Sequence, residues 1–255
     1  MRADKYFATR FGSRTKAKEV LGKGLIQKNG KPLSPKDEID SDEGLLILEC
    51  ESFVSNGGYK LDRGLDVFEQ SVSGMTVADL GASTGGFTDC LLRRGARRVY
   101  CVDVGECQLH PSLAEDSRVV VMDGTNARYL KRTDFPEPID VVVGDLSFIS
   151  LKLVVPAVCD ILEEGGKAFL LFKPQFECGG VGLGKSGIVP TRYHLNLLKN
   201  FYAFCIESGM SPLGVVNAPI REKKNIEYVV FLQKSGMPVT EWEFLRESSR
   251  FFEQK

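Results

Sequence analysis

The chain has 255 residues, of which 43% are hydrophobic and 26% are charged, and its formal net charge is -1. Such a length and composition suit a globular protein with one large α/β domain and a smaller one. No apolar run approaches the ~18 residues of a membrane helix, and no signal-peptide core is seen. The seven cysteines lack the spacing of a zinc site. Together these features predict a reduced, cytoplasmic protein with no membrane segment and no metal.

The N-terminal segment is strongly basic, since residues 1–36 contain ten Lys or Arg and only two acidic residues. A short basic run is often only a solvated face, but a basic end on an otherwise acidic chain favours a polyanionic partner. Residues 2–24 are predicted to form two short helices that break near Gly12, the second beginning after Ser13. Asn29-Gly30 predicts a type I′ hairpin turn, and an apolar strand is expected at 45–50.

Residues 13–33, SRTKAKEVLGKGLIQKNGKPL, resemble the alpha-L RNA-binding domain, with a basic helix, paired glycines and an Asn-Gly turn in the same order. The resemblance implies a small α+β RNA-binding domain over residues 1–50. Lys and Arg on one helix and one hairpin would bind phosphates and read few bases. The expected RNA contacts are Arg2, Arg14, Lys16, Lys18, Lys28 and Lys31.

After a predicted linker at 51–59, the remainder, residues 60–255, is predicted to form one domain of alternating strands and helices. Continuous apolar strands separated by helices indicate an α/β fold with a Rossmann-like, doubly wound and mostly parallel sheet. A capping box at Thr240 and Glu243 predicts a final helix that covers the core through Trp242, Leu245 and Phe252. The expected strands are 76–80, 99–103, 119–123, 140–145, 168–172 and 228–232, and the expected helices are 86–94, 151–163 and 192–207.

A glycine-rich turn follows the first of these strands and opens a helix, in the sequence VADLGASTGGF. Its glycine spacing is G-x-x-x-G-G, whereas a dinucleotide site needs G-x-G-x-x-G, so a pyrophosphate is disfavoured. Asp103 ends the second strand, where a carboxylate takes ribose hydroxyls, and Asp123 ends the third. A nucleoside without phosphate fits this set, which indicates S-adenosylmethionine. The predicted cofactor residues are Asp79, Gly81, Ala82, Ser83, Gly85, Gly86, Asp103, Val104, Asp123 and Gly124.

Four charged residues lie in or beside apolar runs, where an unpaired charge is costly: Lys60, Asp145, Lys173 and Glu227. Two lysines and two carboxylates brought together at strand ends would compensate one another. They would also form a site able to hold and deprotonate a hydroxyl. The alternative is an ion-pair network that only fastens the strand ends.

The chain resembles the TlyA family, whose members carry the name hemolysin but are rRNA 2′-O-methyltransferases with an FtsJ-like catalytic domain. The motifs are the basic N-terminal module, SNGGYKL, DLGASTGGFTD, GDLSFIS, LFKPQFE and NIEY. The resemblance implies that the four charged residues are the family's catalytic Lys-Asp-Lys-Glu tetrad. It also places Phe148 and Asn225 near methyl transfer, with Phe148 among the cofactor contacts.

The implied function is S-adenosylmethionine-dependent 2′-O-methylation of a cytidine ribose in rRNA within assembled ribosomal subunits. Because the chain begins almost directly at its basic helix, 23S rRNA is expected as the substrate, with 16S rRNA a poor one. The alternatives are a membrane-lytic hemolysin, a catalytically inactive RNA-binding protein and an NAD-dependent enzyme. The lack of a bilayer-spanning segment, the intact tetrad and the glycine spacing argue against these three in turn.

Overall fold

A computed structural model describes residues 1–10, 13–22, 24–41, 43–47, 52–180, 182–183, 187–221 and 223–251. The chain forms two compact units, Met1–Ser52 and Phe53–Lys255. Residues 53–59, which the sequence analysis assigns to a linker, lie within the second unit, and a helix begins there at Gly57.

The first unit contains two helices and a small antiparallel sheet. Asn29 and Gly30 have φ angles of 53° and 77°, the two positive values of a type I′ turn, so the predicted hairpin is confirmed. The core of the first unit contains Phe7, Leu21 and Ile26. The predicted break at Gly12 and strand residues 48–50 lie outside the described residues. The elements are α1 (Ala3–Tyr6), α2 (Arg14–Gly22), β1 (Ile26–Lys28), β2 (Lys31–Pro32) and β3 (Leu45–Ile47), with strand order β2-β1-β3.

The second unit is built on a seven-stranded sheet of order β6-β5-β4-β7-β8-β10-β9. The first five strands in this order are parallel, and β10 is antiparallel to both of its neighbours, so the sheet is mostly parallel as predicted. The strands are β4 (Thr76–Leu80), β5 (Arg98–Val102), β6 (Val119–Met122), β7 (Ile139–Gly144), β8 (Leu162–Phe172), β9 (Met210–Asn217) and β10 (Tyr228–Lys234).

Helices cover both faces of this sheet, as its fully buried strands require. One core packs α6 and α8 on the sheet, and the other packs α3 and α4 on the opposite face. The helices are α3 (Gly57–Val67), α4 (Gly86–Arg93), α5 (Pro111–Ala114), α6 (Val155–Ile161), α7 (Pro174–Glu177), α8 (His194–Glu207) and α9 (Glu241–Leu245). Short 3-10 turns occur at Ala127–Tyr129, Arg132–Asp134, Leu151–Leu153, Thr191–Tyr193 and Arg246–Phe251.

Four expectations for this unit are corrected. Lys60 lies on α3 and not at a strand end, because Leu61 and Leu65 repeat at helical spacing and pack on the sheet. Strand β9 is not among the strands predicted from the sequence, and it contains Pro212, which an edge strand tolerates at a bulge. The helix predicted at 151–163 ends at residue 161, where β8 begins. The capping box at Thr240 is confirmed and Leu245 is buried, but Trp242 is 72% exposed and does not cover the core. Phe252, the third residue predicted on this helix, lies outside the described residues.

Candidate active site

The site lies at the carboxyl edge of the parallel strands, where β4 has β5 on one side and β7 on the other. Such a switch in strand order opens a crevice where ligands bind in α/β sheets. The glycine turn after β4 enters this crevice, and Gly85 at the N-cap of α4 has a φ of 92°. A Cβ on Gly86 would lie 3.0 Å from the backbone nitrogen of Gly58. Glycine therefore lets α3 and α4 approach closely, which brings Lys60 to the crevice.

The four charged residues come together and form a continuous chain of ion pairs. Lys60 Nζ lies 3.1 Å from Asp145 Oδ2 and 2.8 Å from Glu227 Oε2. Lys173 Nζ lies 2.7 Å from Asp145 Oδ1 and donates a 2.8 Å hydrogen bond to Ser147 Oγ. The Lys173 side chain is only 7% exposed, whereas the other three members are partly open to solvent. Asp145 is thus the centre of the group, with one lysine on each carboxylate oxygen.

The electrostatics of the site favour the charged forms of Asp145 and Lys60. Burial alone would raise the pKa of Asp145, but the charges of Lys60 and Lys173 outweigh it and leave the pKa below its ordinary value. Burial alone would lower the pKa of Lys60, but Asp145 and Glu227 outweigh it and leave that pKa raised. Asp145 and Lys60 therefore stabilise each other's charged forms at neutral pH.

A cavity of about 270 Å³ connects the glycine turn to the tetrad. Asp103 accepts hydrogen bonds of 2.8 Å from the backbone nitrogens of Ser83 and Gly105, which fixes its carboxylate at the end of β5. Asp123 accepts one of 2.9 Å from the backbone nitrogen of Cys107, and the apolar side chain of Val104 is 68% exposed beside this edge. The lining residues are Ser55, Gly57, Lys60, Gly81, Ala82, Ser83, Thr84, Gly86, Phe87, Asp145, Ser147 and Lys173.

This arrangement fits S-adenosylmethionine. Carboxylates with free lone pairs at the ends of β5 and β6 suit ribose hydroxyls and an adenine amino group, and an exposed apolar side chain between them suits the base. The turn's backbone then leads to Asp145 and Lys173 of the tetrad, which line the same cavity.

Seven of the predicted cofactor residues are not among the described residues that line this cavity: Asp79, Gly85, Asp103, Val104, Asp123, Gly124 and Phe148. Asp79 is fully buried in β4 and accepts a 2.7 Å hydrogen bond from the Thr88 hydroxyl. Burial, which outweighs that hydrogen bond, raises the pKa of Asp79 to about 7. Phe148 is 92% exposed at a φ of 63°, with its ring 5.4 Å from the ring of Phe176. Gly124, at a φ of 64°, forms the turn after Asp123.

A second cavity of about 360 Å³ lies on the other side of Lys60. Asn225 shapes it, because its Oδ1 accepts a 2.8 Å hydrogen bond from the Val189 nitrogen and its Nδ2 donates one of 2.8 Å to the Gly187 oxygen. The sequence analysis did not assign the basic residues of this wall, although the run REKKN before NIEY was a visible signal. The lining residues are Lys60, Gln175, Ile188, Pro219, Arg221, Lys223, Lys224, Asn225 and Glu227.

In the first unit, the buried carboxylate of Asp4 gathers three of the predicted RNA-binding cations. It lies 3.2 Å from Arg2 Nη2, 3.1 Å from Arg14 Nε and 3.8 Å from Lys18 Nζ. Burial raises the pKa of Asp4, but hydrogen bonds from Arg14 and Arg2 outweigh it and lower the pKa overall. Lys28 instead pairs with Asp40, Lys31 is exposed, and the Lys16 side chain lies outside what the structure describes.

Two features are absent from the described part of the chain. No helix there has the length and apolar character needed to cross a membrane. No group of three or more His, Cys, Asp or Glu side chains there has an arrangement that could hold a metal ion.

Comparisons with known proteins show which proteins the chain is similar to. The model of the FtsJ-like methyltransferase family matches residues 53–234. The chain is 39% identical to a Bacillus subtilis protein provisionally named as the rRNA methyltransferase YqxC, over 88% of this chain and 82% of that one. It is 38% identical to the 16S/23S rRNA (cytidine-2′-O)-methyltransferase TlyA of Mycobacterium tuberculosis, over 87% and 84%. A solved structure from Streptococcus thermophilus, provisionally named a hemolysin, is 37% identical with a TM-score of 0.73, over 100% and 97%.

Proposed function

Because the chain belongs to the FtsJ-like methyltransferase family and has TlyA among its relatives, we propose that it methylates the 2′-hydroxyl of a cytidine ribose in rRNA. The family membership confirms the predicted Rossmann-like methyltransferase fold and S-adenosylmethionine as the cofactor. The observation that carries the acceptor chemistry is the ion-paired tetrad at one end of the cofactor cavity.

S-adenosylmethionine supplies a methyl group already activated on a sulfonium, so the protein must align the acceptor and remove one proton. Lys173 is the residue for both tasks, because its Nζ lies at the cavity wall and is fixed by Asp145 and Ser147. With S-adenosylmethionine bound, the ribose oxygen would displace the sulfonium sulfur from the methyl carbon. The hydroxyl proton passes to the amine form of Lys173. Lys60 and Glu227 hold Asp145 and the ribose in place.

The first unit supplies affinity for the RNA backbone. Arg2, Arg14 and Lys18 surround one buried carboxylate, which holds three long cationic side chains on a single face of the unit. Such a cluster suits neighbouring phosphates and carries little base specificity. We assign the remaining contacts to Lys16, Lys28 and Lys31.

The substrate is rRNA within assembled ribosomal subunits in the cytoplasm, and the M. tuberculosis relative is named for both 16S and 23S rRNA. We keep 23S rRNA as the preferred substrate. The test incubates the purified protein with radiolabelled S-adenosylmethionine and separated 30S and 50S subunits, and then locates the label. Label in 23S rRNA at a cytidine 2′-oxygen is the expected result. Label in neither rRNA would refute the proposed function, and equal label in 16S rRNA would refute only the 23S preference.

The hemolysin name of a similar structure suggests a second function, membrane lysis. No observation in the described part of the chain favours it over methyl transfer, and the tetrad has no part in lysis. Leakage of dye from liposomes at micromolar protein, with methyl transfer absent, would reverse this preference.

A further inference from the structure

The second cavity is defined by two loops that meet beside the tetrad. One loop is residues 187–190, and the other, immediately before β10, is described at residues 219–221 and 223–227. The hydrogen bonds of Asn225 to Val189 and Gly187 join the two loops. His194, buried behind them, contacts the Val189 oxygen at 2.9 Å. The cavity is therefore a fixed feature of the unit and shares Lys60 with the cofactor cavity.

Its outer wall carries Arg221, Lys223 and Lys224, whose side chains are all exposed. Within the described residues, none of the three makes an ion pair with a carboxylate. Glu227, the acidic residue of the described lining, is already engaged with Lys60 at 2.8 Å. The wall therefore presents three cations to whatever enters the cavity.

Lys223 also occupies a backbone position that an L-amino acid avoids. Its φ is 57°, in the left-handed region that favours glycine, within a turn closed by a 3.4 Å hydrogen bond from the Lys224 nitrogen to the Arg221 oxygen. A lysine there costs folding free energy compared with glycine, and residues held in such conformations concentrate at binding sites.

The chemistry of a ribose acceptor identifies the ligand. In an RNA chain, the carbon beside the one that carries the 2′-hydroxyl carries the 3′-phosphate. When that hydroxyl reaches Lys173, a phosphate must lie only a few bonds away. We propose that Arg221, Lys223 and Lys224 form a phosphate subsite in the catalytic unit, which binds the RNA backbone next to the methylated ribose. This inference rests on the proposed function and adds to it a second RNA contact, separate from the first unit.

The test uses the full chain with the double variant Lys223→Gly/Lys224→Gln. Glycine suits the backbone at position 223, so thermal stability should stay the same or rise. The matched control is Lys131→Gln, which removes an exposed positive charge. Lys131 lies in the segment between β6 and β7, which leads to the amino-terminal end of β7. Two readouts are measured from 50 to 200 mM salt: KM for methyl transfer to 23S rRNA in 50S subunits, and the affinity for a fluorescent oligocytidylate RNA.

Each phosphate contact contributes a log–log salt slope of about 0.7 to 0.9, or about threefold in affinity across this salt range. The double variant should therefore lose the part of the salt slope that about two phosphate contacts contribute. Its KM should rise roughly tenfold at low salt, while kcat and cofactor affinity stay unchanged. A reduced stability would not by itself change the salt slope. The control should match the wild type in both readouts.

If the wild type methylates rRNA and the double variant matches it in KM and in salt slope, the phosphate subsite is refuted while the proposed function stands. If the wild type methylates no rRNA, the proposed function fails, and the oligocytidylate readout decides the subsite alone. A weaker, less salt-dependent affinity in the variant would then support the subsite, and an unchanged one would refute it.

Discussion

Replacing Lys173 by methionine tests the centre of the proposed mechanism. Methionine keeps most of the side-chain length and removes the amine that orients and deprotonates the hydroxyl. Proton transfer by a positioned group contributes typically 10²–10⁴-fold, which is about 3 to 5 kcal/mol of barrier. We expect methyl transfer to fall by that factor, while S-adenosylmethionine affinity, measured by calorimetry, changes less than about twofold.

The structure also predicts how stable this variant is. Asp145 loses one of its two lysines but keeps Lys60 at 3.1 Å, and its carboxylate is partly open to solvent. The cost should therefore be about 1 to 3 kcal/mol, below that of a fully unpaired buried charge. Lys167→Met is the matched control, because Lys167 lies on β8, the strand that Lys173 directly follows, and donates a 2.6 Å hydrogen bond to Gln70, away from the site. This control should retain full activity.

A second substitution separates the two roles of Lys173. Arginine can pair with Asp145 but stays protonated at all working pH values, so Lys173→Arg preserves the charge and removes the proton acceptor. Activity should fall nearly as far as in Lys173→Met, with stability closer to that of the wild type. Turnover within about threefold of the wild type in Lys173→Met would refute the assigned role. Full activity in the arginine variant would limit the role to orientation.

Three further predictions concern other parts of the chain. The pKa of Asp79 is about 7 in the folded protein and 3.8 in the unfolded chain, so the free energy of unfolding falls as pH rises between those two values. In urea titrations, Asp79→Asn should therefore reduce the loss of unfolding free energy between pH 5 and pH 8 by about 2 to 3 kcal/mol. The double variant Arg14→Gln/Lys18→Gln should weaken RNA binding and lower its log–log salt slope by about one for each phosphate that is no longer neutralised. An unchanged slope would mean that these two side chains only face solvent and do not contact RNA. Gly86→Ala places a methyl group against the Gly58 backbone and should cost about 1 to 3 kcal/mol with loss of activity, whereas Gly22→Ala, which meets no neighbour, should be neutral or stabilising in thermal melts.

The parts of the fold that local chemistry determines were predictable. The Asn29-Gly30 turn needs only two residues that tolerate positive φ, and the parallel strands are continuous apolar runs. Asp145 and Lys173 directly follow neighbouring parallel strands, so their convergence follows from strand direction. Glu227 joins them because β10 runs antiparallel and begins at the same edge.

Other features depend on contacts between distant segments, which a sequence pattern does not contain. The position of Lys60 depends on α3 approaching α4 through Gly57, Gly58 and Gly86, and isolated glycines predict turns as readily as close packing. The second cavity depends on hydrogen bonds between Asn225 and a loop 36 residues earlier. Its basic run resembled any solvated charge cluster until that loop defined a cavity beside it.

The charges of the tetrad also determine what the pH dependence of methyl transfer can report. The pKa of Asp145 is lowered from 3.8, so its contribution to stability is complete above that value and is lost as pH falls through the lowered pKa. The pKa of Lys60 is raised from 10.5, so its contribution is complete below that value and is lost as pH rises through the raised pKa. Between about pH 5 and pH 9 these two charges are constant and the ion pairs persist. A change of kcat with pH inside that window therefore reports the proton transfer itself. The control measures the urea midpoint of the Asp79→Asn variant, in which the contribution of Asp79 is removed, and that midpoint should stay constant across the window.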